Sequence, residues 1–274
     1  MSGKYMNRFR LDGKTAIVTG GVGILGRHFC QGLAEFGANL IIVDLDQAQV
    51  DQFASEISRQ YDVQALGIQC DVSNESSVTA MLAKAVAKFG KIHVLHNNAA
   101  SKTKDVKRFF AETERFSMDD WREVMSVNVD GMFLVARAVG AHMLKNEIKG
   151  SVIQTSSIYG ILAPDTRIYE GSHYLGTQIN TPAVYCASKA AVVGMTRYLA
   201  TLWGARGIRV NTLIPGGVQS GQNSVFTEKY SARIPMARMA DPEEMVGALI
   251  FLASDASSYI TGQALVVDGG LSAW

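Results

Sequence analysis

Tyr185 and Lys189 stand four residues apart within an apolar, helix-like stretch of the sequence. Four residues make about one helical turn, so the phenol and the ammonium would share one face of the helix. A nearby ammonium favours the phenolate and lowers the pKa of a tyrosine from its ordinary value of about 10. A tyrosine tuned in this way can pass a proton near neutral pH, so the pair could carry out general acid–base chemistry.

A glycine-rich turn follows the first apolar run, Thr15–Thr19, and Gly21, Gly23 and Gly26 satisfy the pattern G-x-G-x-x-G. Glycines there permit a tight turn and a close approach of the backbone to a pyrophosphate, and the helix that follows offers its amides to the phosphates. Asp44 closes the second apolar run, where a carboxylate can accept hydrogen bonds from ribose hydroxyls and repel a 2′-phosphate. The pattern predicts a dinucleotide site and favours NAD over NADP.

These residues need a scaffold, and short apolar runs alternate with amphipathic segments along nearly the whole chain. The runs that read as strands are 15–19, 39–44, 63–70, 92–96, 151–155, 208–214 and 264–268. The segments that read as helices are 24–36, 47–60, 75–89, 118–146, 184–205 and 242–254. Repeated β-α-β units predict an α/β fold: a Rossmann-type, doubly wound, seven-stranded parallel sheet with helices on both faces. Without a linker or repeat, we expect a single domain over residues 1–274.

The composition excludes several classes of function. The chain has 26 Lys and Arg against 25 Asp and Glu, and a net charge of +1 gives no reason to expect nucleic acid or an anionic membrane as a partner. It has no apolar run of about 18 residues and no secretory signal at its start. Its three cysteines and five histidines lack disulfide or metal-site spacing, so we expect no metal and a cytoplasmic location.

Two long polar segments interrupt the alternation. Residues 158–183 and 216–240 are rich in Gly, Ser, Thr, Asn and Gln. Long loops that follow the strands of a parallel sheet gather at the carboxyl ends of those strands, where ligands bind. We therefore expect 158–183 to be an active-site insertion and 216–240 to be a lid over the substrate.

Several short motifs occur in the order found in one known family. They are Gly20–Gly26, Asn97–Ala100, Ser126–Asn128, Ser156-Ser157, Tyr185-x-x-x-Lys189 and Pro215-Gly216. In these motifs the chain resembles the short single-domain branch of the short-chain dehydrogenase/reductase family, from about residue 11 to 270. The segments 157–160, 163–165 and 167–171 are in addition faintly similar to members encoded with bacterial surface-glycan or flagellin-glycan pathways.

The resemblance implies a catalytic tetrad. Tyr185 would donate a proton to a carbonyl or accept one from an alcohol, and Lys189 would lower the tyrosine pKa and hold the nicotinamide ribose. Ser157, chosen over Ser156 because it stands three residues before Gly160, would hydrogen-bond the substrate oxygen. Asn128 would hold a water that links Lys189 to solvent.

The resemblance also implies the residues that surround the cofactor. In this chain they are Gly20, Gly21, Gly23, Ile24, Gly26, Asp44, Leu45, Asp71, Val72, Asn98, Tyr185, Lys189, Pro215, Gly216, Val218 and Ser220. Asp71 could reach the adenine amino group, and Val218 and Ser220 match positions that meet the nicotinamide carboxamide.

Two departures from the family pattern bear on the substrate. The glycine spacing is more typical of the longer branch that epimerises or dehydrates nucleotide sugars, and Ser157 and Tyr185 are 28 residues apart, about twice the usual separation. The extra residues include groups that bind hydroxyls and anions, so we expect a small, polar, sugar-like substrate held by Ser157, Tyr159, Arg167 and Tyr185. The alternatives for the insertion are an oligomer contact and a surface loop.

These features favour an NAD(P)-dependent oxidoreductase that transfers a hydride between a secondary alcohol or ketone and nicotinamide. The alternatives are a nucleotide-sugar epimerase or dehydratase, and a non-catalytic NAD-sensing protein. The family's helices at 118–146 and 184–205 pair across two-fold axes, so the resemblance also implies a homotetramer or homodimer.

Overall fold

A seven-stranded parallel sheet forms the centre of the protein, whose computed structural model describes residues 3–274. Its strands are β1 (Thr15–Thr19), β2 (Asn39–Asp44), β3 (Ala65–Gln69), β4 (Val94–Asn97), β5 (Gly150–Thr155), β8 (Ile208–Pro215) and β9 (Ala264–Val267). Their order across the sheet is β3-β2-β1-β4-β5-β8-β9. The predicted Rossmann-type, doubly wound fold is confirmed, and the strand bounds differ from the predicted ones by a few residues.

Helices cover both faces of this sheet. They are α1 (Ile24–Glu35), α2 (Gln47–Gln60), α3 (Glu75–Phe89), α4 (Val106–Phe109), α5 (Met118–Met125), α6 (Met132–Lys145), α7 (Ala183–Trp203), α8 (Ser224–Ser231) and α9 (Val246–Ala253). Helices α1, α2 and α9 pack on one face, and α3, α6 and α7 pack on the other.

The alternation of side chains along β2 shows why the sheet is buried on both faces. Leu40 and Ile42 join the core under α1 and α2, while Ile41 and Val43 join the core under α3 and α6. Successive side chains of a strand point to opposite faces, so a strand that is apolar at every position must be covered on both sides. This is the physical basis of the predicted three-layer arrangement.

The helix from Met118 to Lys145 is continuous but changes its hydrogen-bonding pattern midway. Residues Ser126–Gly131 form a π-helical segment between α5 and α6. By length and composition alone the whole helix could cross a membrane, a test that core helices of folded domains also pass. Val135, Val139 and Met143 pack into the core against the sheet, so this helix belongs to the interior of the fold.

The two long polar segments contain more regular structure than the sequence suggested. Within 158–183 lie two short 3₁₀ turns and a hairpin of β6 (His173–Tyr174) and β7 (Thr177–Gln178). Within 216–240, the segment expected to form the lid, lies α8. The helix predicted at 242–254 begins with a 3₁₀ turn, Pro242–Met245, before α9. Both long segments follow strands whose carboxyl ends face the same edge of the sheet.

The strand order reverses between β1 and β4, which are neighbours although β2 and β3 lie between them in sequence. At such a switch point the loops that follow the two strands turn to opposite sides and leave a crevice between them. The glycine turn follows β1 and the segment Asn98–Lys102 follows β4, so both flank this crevice.

Candidate active site

The glycine turn has the shape that a dinucleotide phosphate group requires. Gly20 has a left-handed backbone with φ of 66°, and a Cβ on Gly26 would come within 2.0 Å of the Gly20 carbonyl oxygen. Helix α1 begins immediately after Gly23, which gives it no side-chain cap. The amides of the first helical turn therefore face the crevice, and the lack of side chains lets a pyrophosphate approach them. The altered glycine spacing still forms this cradle.

Asp44 lies at the end of β2 beside the glycine turn. Its Oδ2 accepts a hydrogen bond of 3.1 Å from the Val22 amide, and its Oδ1 accepts one of 2.9 Å from the Leu45 amide. Each carboxylate oxygen keeps a further lone pair, because a carboxylate has about four acceptor sites. Asp44 is thus held in place by the backbone while it remains able to accept ribose hydroxyls.

These elements line a cleft of about 560 Å³. Most of the predicted cofactor residues line it: Gly20, Gly23, Ile24, Gly26, Asp44, Leu45, Asp71, Val72, Asn98, Tyr185, Val218 and Ser220. The cleft is therefore lined by the Asp44 carboxylate after β2, by the glycine turn and by Tyr185.

Four predicted cofactor residues do not line this cleft. Gly21 has its amide bonded to the Val43 carbonyl at 3.0 Å, so it joins the turn to β2. Lys189 is buried beneath the cleft, Pro215 is the buried last residue of β8, and Gly216 lines the neighbouring cavity. These four residues occupy the expected motif positions in the sequence, but in the structure none of them lines the cleft.

A second cavity, of about 640 Å³, adjoins the cleft and is walled by both long segments. The residues common to the two cavities are Ile24, Lys102, Tyr185, Val218 and Ser220. Tyr185 therefore lies at the junction, where a substrate in the second cavity would meet a nicotinamide in the first. This is the arrangement required for hydride transfer at a carbon and proton transfer at the oxygen that it bears.

Lys189 is 2% exposed, and its Nζ donates a hydrogen bond of 3.2 Å to the Thr155 carbonyl at the end of β5. Burial lowers the pKa of this ammonium to about 8. Its Nζ lies 5.8 Å from the centroid of the Tyr185 ring, over the ring face. The structure thus confirms that Tyr185 and Lys189 share one face of α7, as their spacing predicted.

The pKa of Tyr185 differs from the sequence expectation. Burial raises this pKa above its ordinary value, and the nearby Ser157 hydroxyl offsets part of the rise. The Lys189 ammonium donates to the Thr155 carbonyl and lies over the ring rather than at the phenol oxygen. Desolvation therefore outweighs the cation, and the expected lowering by Lys189 is absent in the protein alone.

The two adjacent serines have different surroundings. The Ser156 hydroxyl donates a hydrogen bond of 2.7 Å to the Lys189 carbonyl, so it fixes α7 against the end of β5. Ser157 lines the second cavity together with Tyr185, and its Oγ accepts from the Tyr159 amide at 3.3 Å. The geometry supports Ser157, and not Ser156, as the hydroxyl that meets a substrate.

Asn128 is fully buried in the π-helical segment. Its Oδ1 accepts from the Ser101 amide at 2.8 Å, and its Nδ2 donates to Ser188 Oγ at 3.3 Å. Ser188 in turn donates to the Tyr185 carbonyl at 2.9 Å. The asparagine side chain thus links the loop after β4 to the helical turn that carries Tyr185, while its predicted water-holding role stays a prediction.

Of the predicted substrate residues, Ser157, Tyr159 and Tyr185 line the second cavity and Arg167 does not. The Arg167 guanidinium pairs with Asp165 at 2.7 Å, and its side chain is 81% exposed. Asp165 caps the 3₁₀ turn Thr166–Tyr169, and its carboxylate accepts a hydrogen bond from the Arg167 guanidinium within that turn. The local turn therefore directs Arg167 to solvent and away from the second cavity, where the sequence had placed it.

The charged residues of the insertion bind the lid rather than the cavity. Asp165 also lies 3.6 Å from Arg233, and Lys229 Nζ lies 3.6 Å from Glu170 and donates to the Glu170 carbonyl at 2.8 Å. Insertion and lid form one apolar cluster, in which the rings of Tyr169 and Phe226 stack with centroids 5.8 Å apart. The cavity wall is thus a joint product of both segments.

Several residues of the site carried no sequence signal. Lys102 lines both cavities, and Phe109 packs against the Tyr185 ring with centroids 6.4 Å apart. Thr155 accepts the lysine ammonium through its backbone, which any residue type could do. Only the tertiary fold brings these positions to Tyr185, since their own neighbours in sequence form no motif.

Within residues 3–274, no group of three His, Cys, Asp or Glu side chains is arranged to hold a metal ion, and the three cysteines are free. The chemistry available at the junction is therefore that of a phenol, a hydroxyl and a buried amine beside a nucleotide cleft.

Comparison with known proteins gives the chain its family. Residues 23–272 match a family model described as enoyl-(acyl carrier protein) reductase. The chain is 36% identical to galactitol 2-dehydrogenase (L-tagatose-forming) of Cereibacter sphaeroides, over 98% of this chain and 99% of that relative. It is 34% identical to D-threitol dehydrogenase of Mycolicibacterium smegmatis, over 96% of this chain and 94% of that relative.

Solved structures give the same result. A gluconate 5-dehydrogenase from Burkholderia cenocepacia, in complex with NADP and tartrate, superposes with a TM-score of 0.85 at 33% identity and covers 98% of each chain. A short-chain dehydrogenase from Leptospira borgpetersenii with bound NAD⁺ gives a TM-score of 0.84 at 29% identity, over 99% of this chain and 97% of that one. The protein belongs to the short-chain dehydrogenase/reductase family and is a nicotinamide-dependent oxidoreductase that transfers a hydride between an alcohol and a ketone.

Proposed function

We propose that the protein oxidises a secondary hydroxyl of a small polyhydroxylated molecule, and reduces the corresponding ketone, with NAD as its cofactor. The observation that carries this proposal is the position of Tyr185 at the junction of the two cavities, beside Ser157. Apolar and aromatic side chains form much of the wall of the second cavity, and hydroxyl, amide and imidazole groups are set among them, including His173, Asn180 and Gln222. Such groups favour a substrate with several hydroxyls over an acyl chain.

Each member of the tetrad has a role in proton transfer. Ser157 orients the reacting oxygen toward Tyr185, whose phenol gives the proton to a ketone or takes it from an alcohol. Lys189 holds the nicotinamide ribose, and Asn128 fixes the loop and helix on either side. The bound nicotinamide supplies or accepts the hydride at the carbon that bears this oxygen.

Asp44 supports NAD rather than NADP. Its carboxylate lies in the part of the cleft next to the glycine turn, where a 2′-phosphate would have to sit. Arg27, on the first turn of α1, donates to the Val22 carbonyl and stacks over the Phe53 ring at 4.6 Å, and it does not line the cleft. A phosphate beside Asp44 would therefore meet a negative charge, and the cation among the described lining residues, Lys102, lies at the junction with the second cavity instead.

The insertion and the lid give the site its boundary. Residues 158–183 and 216–240 contribute most of the lining of the second cavity, which supports their roles as active-site insertion and substrate lid. The domain they interrupt spans residues 1–274 as a single unit in this proposal. The faint resemblance to glycan-pathway members suggests a sugar-derived substrate of bacterial surface glycans as a narrower version of the same proposal.

The remaining proposals concern the molecule as a whole. The family resemblance supports a homodimer or homotetramer through the helices at 118–146 and 184–205, and a cytoplasmic location. Neither nucleic acid nor a membrane is a partner in this proposal, in keeping with the near-zero net charge.

The proposal is tested by following reduction of NAD⁺ with a panel of alditols, aldoses and sugar acids, against long-chain hydroxyacyl substrates. We expect turnover of polyhydroxylated substrates and its loss by about 10²–10⁴-fold in Tyr185→Phe, which removes the proton donor and keeps the ring. Tyr259→Phe is the matched control, since Tyr259 is fully exposed and lies outside both cavities. Tight NAD binding without turnover of any alcohol would instead support the NAD-sensing alternative.

A further inference from the structure

One cation lies where the two cavities meet. Lys102 follows the small residues Ala99–Ser101 after β4, and of the five residues that line both cavities it is the only charged one. The position places an ammonium beside the same space that Tyr185 and Ser157 face. A charge at this junction can act on the substrate, on the cofactor, or on both.

The second cavity has no acidic counterpart for this cation. Among the described residues that line it there is no aspartate, glutamate or arginine; its titratable members besides Lys102 are His173 and tyrosines. In the cleft the carboxylates that line the wall, Asp44 and Asp71, belong to the far end, where β2 and β3 finish. The described lining of the second cavity therefore carries one formal cation, Lys102, and no formal anion.

The Lys102 ammonium is held by aromatic rings rather than by a carboxylate. Its Nζ lies 5.9 Å from the centroid of Phe109 and 5.8 Å from that of Phe110. Within residues 3–274 no ion pair includes Lys102, and partial desolvation lowers its pKa. An ammonium on an aromatic platform, with no carboxylate paired to it, is available to bind an anion in the adjoining cavity.

We infer that Lys102 is the anion-binding residue of the substrate cavity and that the preferred substrate is a sugar acid of the aldonate class. Its carboxylate pairs with the Lys102 ammonium while a secondary hydroxyl of the same molecule meets Ser157 and Tyr185. The inference rests on the proposed function and narrows it, because a neutral alditol could use the hydroxyl-binding groups but not the cation. A cavity of about 640 Å³ accommodates a six-carbon acid.

The experiment compares matched pairs that differ in one terminal group: D-gluconate with D-glucitol, galactonate with galactitol, and threonate with threitol. For the wild type we expect a higher kcat/KM with the acid of the productive pair. Lys102→Met should lower kcat/KM for that acid by about 10- to 100-fold and change the alditol by less than about 3-fold, because a charge-assisted hydrogen bond contributes roughly 1.5–3 kcal/mol. Lys102→Arg should restore most of the loss.

Lys104→Met is the matched control, since Lys104 is exposed two residues away and lines neither cavity. The affinity for NADH is measured on every variant by fluorescence titration. Equal losses for acid and alditol, or a weaker NADH affinity in Lys102→Met, would show that Lys102 serves the cofactor and would overturn the inference.

Calorimetric binding of the acids to the NADH-loaded protein separates this inference from the proposed function. Turnover of alditols with no dependence on Lys102 overturns the inference and leaves the proposed function standing. Lys102-dependent binding of acids without turnover of either class supports the anion-binding role of Lys102 but contradicts the proposed function and the assignment of the acid as substrate. A wild type that neither binds nor oxidises the acids overturns the inference outright.

Discussion

At the scale of one residue, the buried ammonium of Lys189 lowers the stability of the folded chain at a position that the active site requires. A buried amine loses its hydration, and its hydrogen bond to the Thr155 carbonyl replaces only part of it. In the folded chain the pKa falls to about 8 from an ordinary 10.5. At about 1.36 kcal/mol per pKa unit, this difference corresponds to about 3 kcal/mol of destabilisation when the amine is charged in both states.

The sign of the pH dependence follows from this lowered pKa. Below about pH 8 the amine is charged in the folded and unfolded chains alike, so the folded chain bears the full cost. As pH rises from about 8 to 10.5 the folded chain loses its proton first and the cost declines. We predict that Lys189→Met stabilises the cofactor-free protein by about 1–3 kcal/mol near pH 7 and abolishes turnover.

Urea unfolding of the wild type and Lys189→Met, at about pH 7 and about pH 9.5, measures this difference. The gain should shrink at the higher pH, while Lys84→Met, at an exposed position of α3, should change stability by less than about 0.5 kcal/mol at either pH. A Lys189→Met protein less stable than the wild type at pH 7 would mean that the lysine stabilises the core it is buried in.

Asp44 sets cofactor choice at the same scale. Asp44→Asn keeps the size of the side chain and one oxygen acceptor for a backbone amide, but removes the charge that repels a 2′-phosphate. We predict that the ratio of kcat/KM for NAD to that for NADP falls by about 10-fold or more, since hydrogen bonds to charged groups contribute roughly 1.5–3 kcal/mol. Steady-state kinetics with both cofactors measures the ratio, and an unchanged ratio would contradict the role of Asp44.

At the scale of elements, the insertion and α8 act as one unit. Lys229 on α8 donates to the carbonyls of Arg167 and Glu170 at 3.3 and 2.8 Å, and these contacts lie outside the cavity lining. The stacked rings of Tyr169 and Phe226 form a second, apolar contact between the insertion and α8. The lid is therefore held in place by the extra residues that separate Ser157 from Tyr185.

We predict that Lys229→Ala loosens the lid without altering the cofactor cleft. Amide hydrogen exchange over residues 224–231 should accelerate, and KM for the alcohol should rise by about 2- to 5-fold, because exposed ion pairs contribute up to about 1 kcal/mol. The NADH affinity should stay unchanged, as should every parameter of Lys84→Ala on α3. Unchanged exchange in α8 would mean that apolar packing alone holds the lid.

At the scale of the whole molecule, α6 and α7 expose apolar side chains that a monomer would leave in water. Phe133 is 43% exposed, Tyr198 65% and Leu202 54%, and a Cβ on Gly194 would meet no atom within 4 Å. These positions lie on the helices through which the family resemblance implies assembly. Burying such side chains against a second copy would stabilise a dimer by roughly 25 cal/mol for each Å² of apolar surface.

We therefore predict that Leu202→Glu dissociates the oligomer while the monomer remains folded. Light scattering coupled to size-exclusion chromatography measures the mass, and circular dichroism reports the fold. Ala80→Glu, at an exposed position of α3 on a different helix, should leave the mass unchanged. A wild type that elutes as a monomer would remove this assembly from the proposal.

The sequence by itself determined the parts of this protein that depend on local pattern. Apolar runs such as 39–44 predict buried strands because each side chain alternates faces, and the spacing of Tyr185 and Lys189 places them on one helical face whatever surrounds them. Gly26 and Asp44 lie at fixed distances from the first strand, so the crevice at the strand switch point could be predicted along with the fold.

Only the tertiary structure decided which polar residues face the substrate. Arg167 turned to solvent because Asp165, two residues before it, captured its guanidinium, and the adjacent tyrosines filled the cavity wall instead. Lys102 has no motif around it, yet packing of the loop after β4 against Phe109 and Phe110 brings it to Tyr185. The path of each loop is set by contacts with distant parts of the folded chain, such as Asp165 with Arg233, and these contacts arise only when the chain has folded.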